Sequence, residues 1–572
     1  MIWWADDPHR ARQEQKAIGE LAERSPWLVN VVMRPADNMR LAFDFDILVG
    51  ERTIPLTLLY PEAFPDAAPS VLSRDGERLS GHQYGPDGEL CLQYRPDNWT
   101  SDVTGAMMIE SAHLLISSEG QTGEPAPSEH RATRAQLMRH SHRRLLFSAD
   151  TVDGLSRLSV GQTAEGGVDE QETVITRAAQ LSRIGPADAP IWVEDEKRGG
   201  ETHAIHAVVA RLPQAGGRTC SSFEDLRALL WSHALPDLAM DVSSRSEPTF
   251  VILFDGMHIH ASLVTGEEGS RSVAAYDGIF VEKEFKRLDP EYERLGTVKV
   301  AIVGCGSVGS KVAVQLARSG VTSFVLVDGD VLASGNLVRN ELDWRSVGVH
   351  KALALGSRIN EIEPDCSISL WTSPIGGQES GAMASATLAA IEECDLIIDA
   401  TADPRAFNLC ASVARRAGIP MCWAQIFGGG IGGIVVRLRP GVNPTPLTAR
   451  QRIETWYRDQ GVDFPEDGSS QPYSDASGPG APLIADDADV TVIASHLARF
   501  AIDLLARPDA TIFPYPAYLI GLREKWLFTA PFDVRPIDLG EGDTWEMEKD
   551  TDAAEALAQF ITDLTAGRQN AD

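Results

Sequence analysis

Residues 298–330 read VKVAIVGCGSVGSKVAVQLARSGVTSFVLVDGD and contain, in succession, an apolar strand, a glycine-rich turn, a helix and a second strand. Alternation of this kind is typical of a parallel sheet covered by helices. Gly304, Gly306 and Gly309 form a GxGxxG turn between the first strand and the helix, where backbone amides can face phosphate oxygens. The stretch therefore predicts an α/β nucleotide-binding domain.

The glycine motif alone favours a dinucleotide-binding oxidoreductase, but the residues after it favour adenylation. The second strand ends in Asp328 and Asp330, NLVRN follows at residues 336–340, and Lys351 lies twelve residues beyond Arg339. Transfer of a carboxylate to the α-phosphate of ATP develops negative charge that fixed cations must balance. Arg339 and Lys351 suit that role, and the alternative is that both are solvated surface charges.

This set of motifs resembles the ThiF, MoeB and ubiquitin-activating enzyme superfamily from Gly296 to about Pro440, with the family's usual extension through Pro536. The resemblance implies ATP and Mg²⁺ as cofactors, with Arg339 and Lys351 as catalytic cations. Asp328 would hold the ribose, and Asn336 would contact the phosphates together with the two cations. The full set of implied nucleotide-binding residues is Gly304, Gly306, Gly309, Asp328, Asp330, Asn336, Arg339, Lys351 and Asp403.

The acid expected to bind magnesium falls in residues 399–403, which read DATAD. Ala402 stands where the family has its usual acid, so Asp403 or Asp399 must substitute. Family members with structural zinc carry paired CxxC motifs. The seven cysteines of this chain are scattered singly, and we therefore expect no zinc.

Residues 1–129 resemble ubiquitin-conjugating enzymes in a series of short motifs. LYP, FP and AP at residues 59–69 precede His82, the segment DGELCL at residues 87–92, and Trp99. The resemblance implies that Cys91 is the nucleophile that passes an acyl group to an amine, and the alternative is that Cys91 is a small buried apolar residue. The family's oxyanion-stabilising asparagine is missing, and Asn98 or Tyr84 could supply a donor.

A separate acyl acceptor in the adenylation region is harder to place, because no cysteine follows Cys422. Residues 465–489 are polar and rich in serine. Either the adenylate reacts directly with Cys91, or a serine takes the acyl group as an oxyester. The candidate serines are Ser469, Ser470, Ser474 and Ser477. The alternative is a disordered loop.

The sequence predicts a multidomain chain. Its parts are an α+β ubiquitin-conjugating-like domain at residues 1–129, a spacer and linker at 130–183, a small α+β middle domain at 184–290, a Rossmann-like ThiF adenylation domain at 291–536 and an acidic tail at 537–572. The spacer is predicted as a basic helix near 127–148 followed by a polar linker at 161–172. The tail carries apolar residues at helical spacing, namely Leu557, Phe560, Ile561 and Leu564.

Charge and composition restrict the partners. A formal net charge of -31 opposes binding to nucleic acid or anionic lipid. No apolar run approaches the length of a membrane span, and the start lacks the pattern of a signal peptide, so we expect a cytoplasmic protein without nucleic-acid or membrane partners.

The combination of domains resembles bacterial ubiquitin-like conjugation systems, including the fused enzymes of CBASS antiphage operons. It implies three kinds of partner: a ubiquitin-like protein or a partner's C-terminus, a target protein with an acceptor amine, and a second copy bound through the adenylation domain. Two other classes remain open, a sulfur-carrier adenylyltransferase whose N-terminal domain only binds partners, and a non-catalytic scaffold for ubiquitin-like proteins.

Overall fold

The computed structural model describes residues 2–75, 79, 83–84, 88–122, 142–173, 175–194, 202–213, 220, 222–267, 269–281, 288–463, 485–542, 545 and 555–562. The chain divides into two compact units, Met1–His140 and Ser141–Asp572. Within the described residues, no helix combines the length and apolarity that crossing a membrane requires.

In its described residues, the first unit packs three α-helices and a six-stranded antiparallel sheet of order β1-β2-β3-β4-β6-β5. Its elements are α1 (Trp3–Asp6), α2 (Pro8–Arg24), β1 (Leu28–Pro35), β2 (Leu41–Val49), β3 (Arg52–Leu59), β4 (Ser70–Ser73), β5 (Gln83–Tyr84), β6 (Glu89–Leu90) and α3 (Gly105–Thr122). The Asp7 side chain accepts a hydrogen bond from the Arg10 amide and Pro8 occupies the first turn, which fixes the start of α2.

A buried carboxylate fixes the segment that follows the Cys91 region. Glu14 on α2 is fully buried and accepts hydrogen bonds from the Tyr60 hydroxyl at 2.7 Å and the Gly105 amide at 2.6 Å. Arg10 lies 2.9 Å from the same carboxylate. A side chain at Gly105 would collide with the Tyr60 hydroxyl, so glycine permits this close start of α3.

The second unit begins with a mixed sheet of order β10-β9-β7-β14-β13-β12-β11-β8, which the pairing of β8 with β9 closes into a barrel. Its elements are β7 (Arg143–Phe147), α4 (Ala149–Ser156), β8 (Thr163–Glu172), β9 (Arg177–Ile184), β10 (Trp192–Val193), β11 (His203–Arg211), α5 (Phe223–Ser232), α6 (Pro236–Ser244), β12 (Thr249–Phe254), β13 (Ile259–Thr265) and β14 (Ser272–Phe280). Residues 184–290 therefore contain both helices and strands, as the predicted α+β class requires.

The predicted spacer and linker at 130–183 are wrong wherever the structure describes them. The polar run 161–172 forms β8, in which Gly166, Val168 and Glu170 alternate inward and are buried. The Glu170 carboxylate accepts a hydrogen bond from the Tyr276 hydroxyl, and this bond allows an acidic residue to occupy a core position. Residues 143–147 form β7 rather than the end of a basic helix, and the rest of that predicted helix, 127–141, lies outside the described residues.

The remainder of the second unit is an eight-stranded sheet of order β17-β16-β15-β18-β19-β20-β21-β22. Strands β17 to β19 are parallel and β20 to β22 add antiparallel. The elements are β15 (Lys299–Val303), α7 (Ser307–Ser319), β16 (Ser323–Val327), α8 (Lys351–Ile362), β17 (Ser367–Trp371), α9 (Gly381–Glu392), β18 (Leu396–Asp399), α10 (Pro404–Ala417), β19 (Met421–Ile426), β20 (Gly432–Leu438), α11 (Pro446–Asp459), α12 (Asp487–Ala506), β21 (Ala517–Gly521) and β22 (Val534–Ile537). The predicted α/β alternation is confirmed.

The predicted amphipathic helix of the tail is present over residues 555–562. Leu557 and Phe560 are 57% and 60% exposed. Leu564 lies outside the described residues.

We expect Asp503→Ala to destabilise the second unit by about 3–5 kcal/mol, because it would leave Arg437 charged and unpaired in the core. The Arg437 guanidinium lies 3.0 Å from Asp503, and the two side chains are 5% and 1% exposed. Urea unfolding followed by tryptophan fluorescence checks the effect. Glu392→Ala removes the more exposed pair with Arg416 as a control and should shift the transition far less. Equal shifts would contradict the prediction.

Candidate functional site

The glycine loop between β15 and α7 is a turn that side chains would block. Gly304 has a φ of +90°, and a Cβ there would lie 2.9 Å from the carbonyl carbon of Ala400. A Cβ on Gly309 would lie 1.8 Å from the Gly304 oxygen. Gly306 is the N-cap of α7, and no side chain of the described part of the chain caps this end through a hydrogen bond. The loop therefore presents backbone amides and a helix N-terminus, which suit a phosphate.

Asp328 at the end of β16 holds the glycine loop in place. One carboxylate oxygen accepts a hydrogen bond from the Cys305 amide at 2.7 Å, and the other accepts from the Asp330 amide at 2.8 Å. Burial raises the pKa of Asp328 above its usual value. The predicted ribose ligand thus lies beside the loop and also shapes it.

The predicted phosphate-binding segment at residues 336–340 lies against the same loop. Asn336 uses its side-chain oxygen to accept a hydrogen bond from the Ala333 amide at 3.0 Å. Arg339 follows that turn and is partly buried. Its neighbour Asn340 is buried and donates a hydrogen bond to the Cys305 carbonyl at 3.4 Å. The structure therefore holds the segment that carries Arg339 against the glycine loop.

Two residues that attach this segment were missed from the sequence. Ser310, next to Gly309, accepts a hydrogen bond from the Glu341 amide at 3.2 Å. Asn340 is the last residue of the motif at 336–340 but was not among the predicted nucleotide-binding residues. Both are small polar residues, and the available signal was their position directly beside a glycine or an arginine of a motif.

Lys351, the first residue of α8, is tied to Asp330. Its side-chain nitrogen lies 2.8 Å from the Asp330 carboxylate, and its backbone amide donates to the Asp330 carbonyl at 2.9 Å. Only 12% of the Lys351 side chain is exposed. This second predicted cation is therefore held beside the end of β16, the strand that neighbours β15 and its glycine loop.

Lys311 on α7 is a third cation here, also missed from the sequence. Its side chain is 5% exposed, and its nitrogen lies 2.7 Å from the Asp487 carboxylate and 3.8 Å from that of Glu341. A buried lysine needs such partners, because burial of an unpaired charge is costly. The pairs connect α7 to the segment that carries Arg339 and to the start of α12.

The two candidate magnesium acids differ in their surroundings. Asp399 is 3% exposed and accepts hydrogen bonds from the amide and hydroxyl of Thr401, and burial raises its pKa. Asp403 caps α10 and pairs with Arg405, which lowers its pKa and keeps it ionised. The Arg405 side chain is 73% exposed, so its ion pair with Asp403 can break at little cost in free energy. Asp403 therefore fits a hard cation better than Asp399 does.

Most cysteines of the second unit are poor nucleophile candidates. Cys305, Cys394, Cys410 and Cys422 are buried, and burial raises the pKa of each thiol. Cys366 is partly exposed at the start of the edge strand β17. The candidate acceptors Ser469, Ser470, Ser474 and Ser477 lie outside the described residues.

Cys91 lies directly after β6 and is partly exposed, so it is not the buried apolar residue of the alternative interpretation. Trp99 donates a hydrogen bond to the Pro65 carbonyl at 2.8 Å, which links two of the predicted motifs. Asn98 donates to the Gln93 carbonyl and accepts from the Arg95 amide. Asn98 is therefore a turn residue here. His82 and the side chain of Tyr84 lie outside the described part of the structure.

A comparison with known protein families identifies a match in part of the second unit. The model of the ThiF family matches residues 282–459, which contain the glycine loop, Arg339 and Lys351. This part of the chain is therefore a ThiF-type α/β domain.

Several proteins are similar to this chain. The uncharacterized protein y4qC of Sinorhizobium fredii is 25% identical over 84% of this chain and 87% of its own length. The ATP-dependent ubiquitin transferase-like protein Cap2 of Enterobacter hormaechei is 40% identical over 18% of this chain and 17% of its own length. The adenylyltransferase and sulfurtransferase uba4 of Aspergillus fumigatus is 27% identical over 29% of this chain and 36% of its own length.

Proposed function

We propose that this chain uses ATP to adenylate the C-terminal carboxylate of a ubiquitin-like protein or a partner protein. The observation that carries the proposal is the attachment of the Arg339 segment to the glycine loop through Asn340 and Ser310. This attachment holds the segment that carries Arg339 against the glycine loop, inside the part of the chain that matches the ThiF family. The names of two relatives support the same reaction, since uba4 is an adenylyltransferase and sulfurtransferase and Cap2 is an ATP-dependent ubiquitin transferase-like protein.

In this reaction a carboxylate oxygen of the partner attacks the α-phosphorus of ATP. A new bond between that oxygen and phosphorus forms, the bond between the α-phosphorus and the bridging oxygen breaks, and pyrophosphate leaves with the electron pair. Arg339 and Lys351 stabilise the charge on the phosphoryl oxygens and on pyrophosphate. Asp403 would hold Mg²⁺, which neutralises phosphate charge when bound.

The second step passes the acyl group to Cys91. The thiol loses its proton to solvent, the sulfur bonds to the acyl carbon, and the bond from that carbon to the AMP oxygen breaks. An amine of the target then attacks the same carbon, releases the Cys91 sulfur and loses a proton to solvent. Covalent linkage of the domains keeps the thiol at high effective concentration near the adenylate.

The biological setting follows from the same proposal. The chain would act as a cytoplasmic homodimer joined through its ThiF-type domain, in a bacterial ubiquitin-like conjugation system. A role in antiphage defence is part of this proposal, and it rests on the resemblance of the domain combination to the fused enzymes of CBASS operons.

The experiment that tests the function incubates the 572-residue chain with ATP, Mg²⁺ and candidate ubiquitin-like proteins that end in glycine. Intact mass spectrometry should find first a carrier adenylate and then a carrier joined to Cys91. Absence of both species with every candidate, together with no release of AMP, would contradict the proposal.

A sulfur-carrier adenylyltransferase is the second candidate, and the similarity to uba4 favours it. This function needs adenylation but no acyl group on Cys91. A carrier adenylate without any adduct on the first unit would favour the second candidate.

We expect Lys311→Met to lower the turnover of adenylation about tenfold, because it removes the cation between Glu341 and Asp487 and loosens the segment that carries Arg339. The KM for ATP should change less than kcat, since Lys311 orients that segment rather than binding ATP. Exchange of labelled pyrophosphate into ATP measures both constants.

Lys299→Met is the matched control. Lys299 pairs with Glu393 at 3.0 Å, but it lies at the start of β15, away from the glycine loop. Unfolding curves show whether either variant is destabilised. A fall in kcat of the same size in both variants, or in neither, would contradict a positioning role for Lys311.

A further inference from the structure

A buried ion pair lies on α2, far in sequence from Cys91. Arg10 and Glu14 are one helical turn apart, and their side chains are 12% and 0% exposed. Nη2 of Arg10 lies 2.9 Å from the Glu14 carboxylate. A buried pair adds little net stability compared with apolar packing, because both charges lose their hydration. The groups that this pair holds in place explain it better than the stability it adds.

The arginine holds the connection 92–104, which joins Cys91 to α3. Nη2 of Arg10 donates a hydrogen bond to the Val103 carbonyl at 2.8 Å, and Nη1 donates to the Ser101 carbonyl. Both acceptors are backbone atoms, so these bonds fix the path of the chain and not only a side chain. Two carbonyls of the connection are thereby attached to α2.

The glutamate holds the point where the connection ends. The Glu14 carboxylate accepts a hydrogen bond from the amide of Gly105, the first residue of α3, at 2.6 Å. The amides at a helix N-terminus lack partners within the helix and favour a negative charge. Glu14 therefore caps α3 from a neighbouring helix, while its bond with the Tyr60 hydroxyl at 2.7 Å orients the carboxylate.

Other bonds fix the part of the connection nearer to Cys91. The Gln93 amide donates to the hydroxyl of Ser111, a buried residue of α3, at 2.9 Å. Trp99 is held by its bond to the Pro65 carbonyl. Because Ser111 belongs to the helix that Glu14 caps, the near end of the connection also depends on the position of that helix.

We propose that Arg10 and Glu14 are positioning residues of the Cys91 site: they fix the connection 92–104 on α2 and α3, and so hold Cys91 in the geometry that acyl transfer needs. The inference rests on the proposed transfer through Cys91. A loss of alignment at the reacting atoms slows transfer even when the nucleophile itself is unchanged.

A purely stabilising pair would act through the unfolding equilibrium of the whole unit. Tyr60→Phe separates the two roles, because it removes a buried hydrogen bond of Glu14 but leaves the bonds to Gly105, Ser101 and Val103. Glu14→Gln instead removes the charge that Arg10 and the Gly105 amide share. A positioning pair predicts a local effect in Glu14→Gln alone, and a stabilising pair predicts effects that follow the loss of stability in both variants.

Hydrogen exchange of the 572-residue chain, followed by mass spectrometry, tests the structural step without any ligand. In Glu14→Gln we expect amides of residues 99–105 to exchange about tenfold faster and those of β2 to stay within about twofold of wild type. Tyr60→Phe should leave both peptides within about twofold. Faster exchange of equal size in both peptides of Glu14→Gln, or no change in either, would overturn the inference.

Discharge of a thioester from Cys91 tests the functional step without ATP. The probe is a peptide that ends in Gly-Gly and carries a mercaptoethanesulfonate thioester. The Cys91 sulfur bonds to the acyl carbon and mercaptoethanesulfonate leaves, and the amine of free lysine then attacks that carbon and releases the Cys91 thiol. We expect Glu14→Gln to lower the discharge rate at saturating lysine about tenfold, with the half-saturating lysine concentration within about twofold of wild type.

Arg10→Lys decides the question if urea unfolding shows that Glu14→Gln is not folded. Lysine keeps a positive charge for Glu14 but lacks the second nitrogen that bonds the Ser101 carbonyl. It should slow discharge about threefold at nearly unchanged stability. Glu110→Gln is the matched control, because the pair of Glu110 with Arg24 at 2.7 Å joins α2 to α3 without contacting the connection.

The discharge assay also separates this inference from the proposed function. Unchanged discharge in the folded Glu14→Gln and Arg10→Lys variants, or equal slowing in Tyr60→Phe or Glu110→Gln, would overturn the inference and leave the function standing. If the wild-type thioester discharges no faster than the same thioester on free cysteine, transfer through Cys91 fails. Hydrogen exchange then still decides whether the pair fixes the connection.

Discussion

Arg339→Ala should lower exchange of pyrophosphate into ATP roughly a hundredfold or more, because the arginine stabilises charge that develops only in the transition state. The KM for ATP should change much less than kcat. We expect this substitution to leave the fold of the segment intact. Asn340 and Ser310 hold the segment on the glycine loop through hydrogen bonds that do not use the Arg339 side chain.

The matched control for this variant is Arg345→Ala. Arg345 lies in the next turn of the same connection and pairs with Asp343 on the surface, where its side chain is 75% exposed. Its loss should leave exchange nearly unchanged. If Arg339→Ala retains wild-type kcat, Arg339 has no role in adenylation.

Cys91→Ala should abolish conjugates while pyrophosphate exchange stays near the wild-type rate, because the two steps use different units of the chain. Gel analysis of conjugates with a labelled carrier measures the first effect, and exchange measures the second. The matched control is Cys366→Ala, which removes a partly exposed cysteine of the second unit. Persistent conjugates in Cys91→Ala would show that the first unit only binds partners.

The same variant tests the serine alternative. If a serine carries the acyl group first, Cys91→Ala should accumulate a carrier adduct that resists thiol reagents and breaks under mild base. Peptide mapping would then place the carrier on Ser469, Ser470, Ser474 or Ser477. A thiol-sensitive adduct on a cysteine of the second unit would contradict both routes, whereas no adduct favours direct transfer from the adenylate.

The α/β domain was predictable because its signals are local. The strand, the GxGxxG turn and the helix follow one another in residues 298–330, and φ of +90° at Gly304 requires glycine. The strand β8 was not predicted, because the signals that define it are not local in the sequence. Its inward positions are a glycine, a valine and a glutamate, and the glutamate is accepted in the core only because Tyr276, distant in sequence, donates a hydrogen bond to it.

The site was predictable to a similar degree. The motif spacing predicted Asp328, Arg339 and Lys351, and the structure bonds Asp328 to the glycine loop and Lys351 to Asp330 after β16. Lys311 could not be found in this way, because its significance comes from partners that only folding brings to it. A lysine on a helix is normally solvated, and only its burial against Asp487 marks Lys311 as different.

The most direct test of the central claim is exchange of labelled pyrophosphate into ATP by the 572-residue chain, with and without a ubiquitin-like protein that ends in glycine, and with NAD as the competing nucleotide. We predict exchange that requires the carrier and Mg²⁺ and no hydride transfer with NAD. Hydride transfer with NAD, or the absence of ATP turnover with every carrier, would contradict adenylation and favour an oxidoreductase or a non-catalytic scaffold.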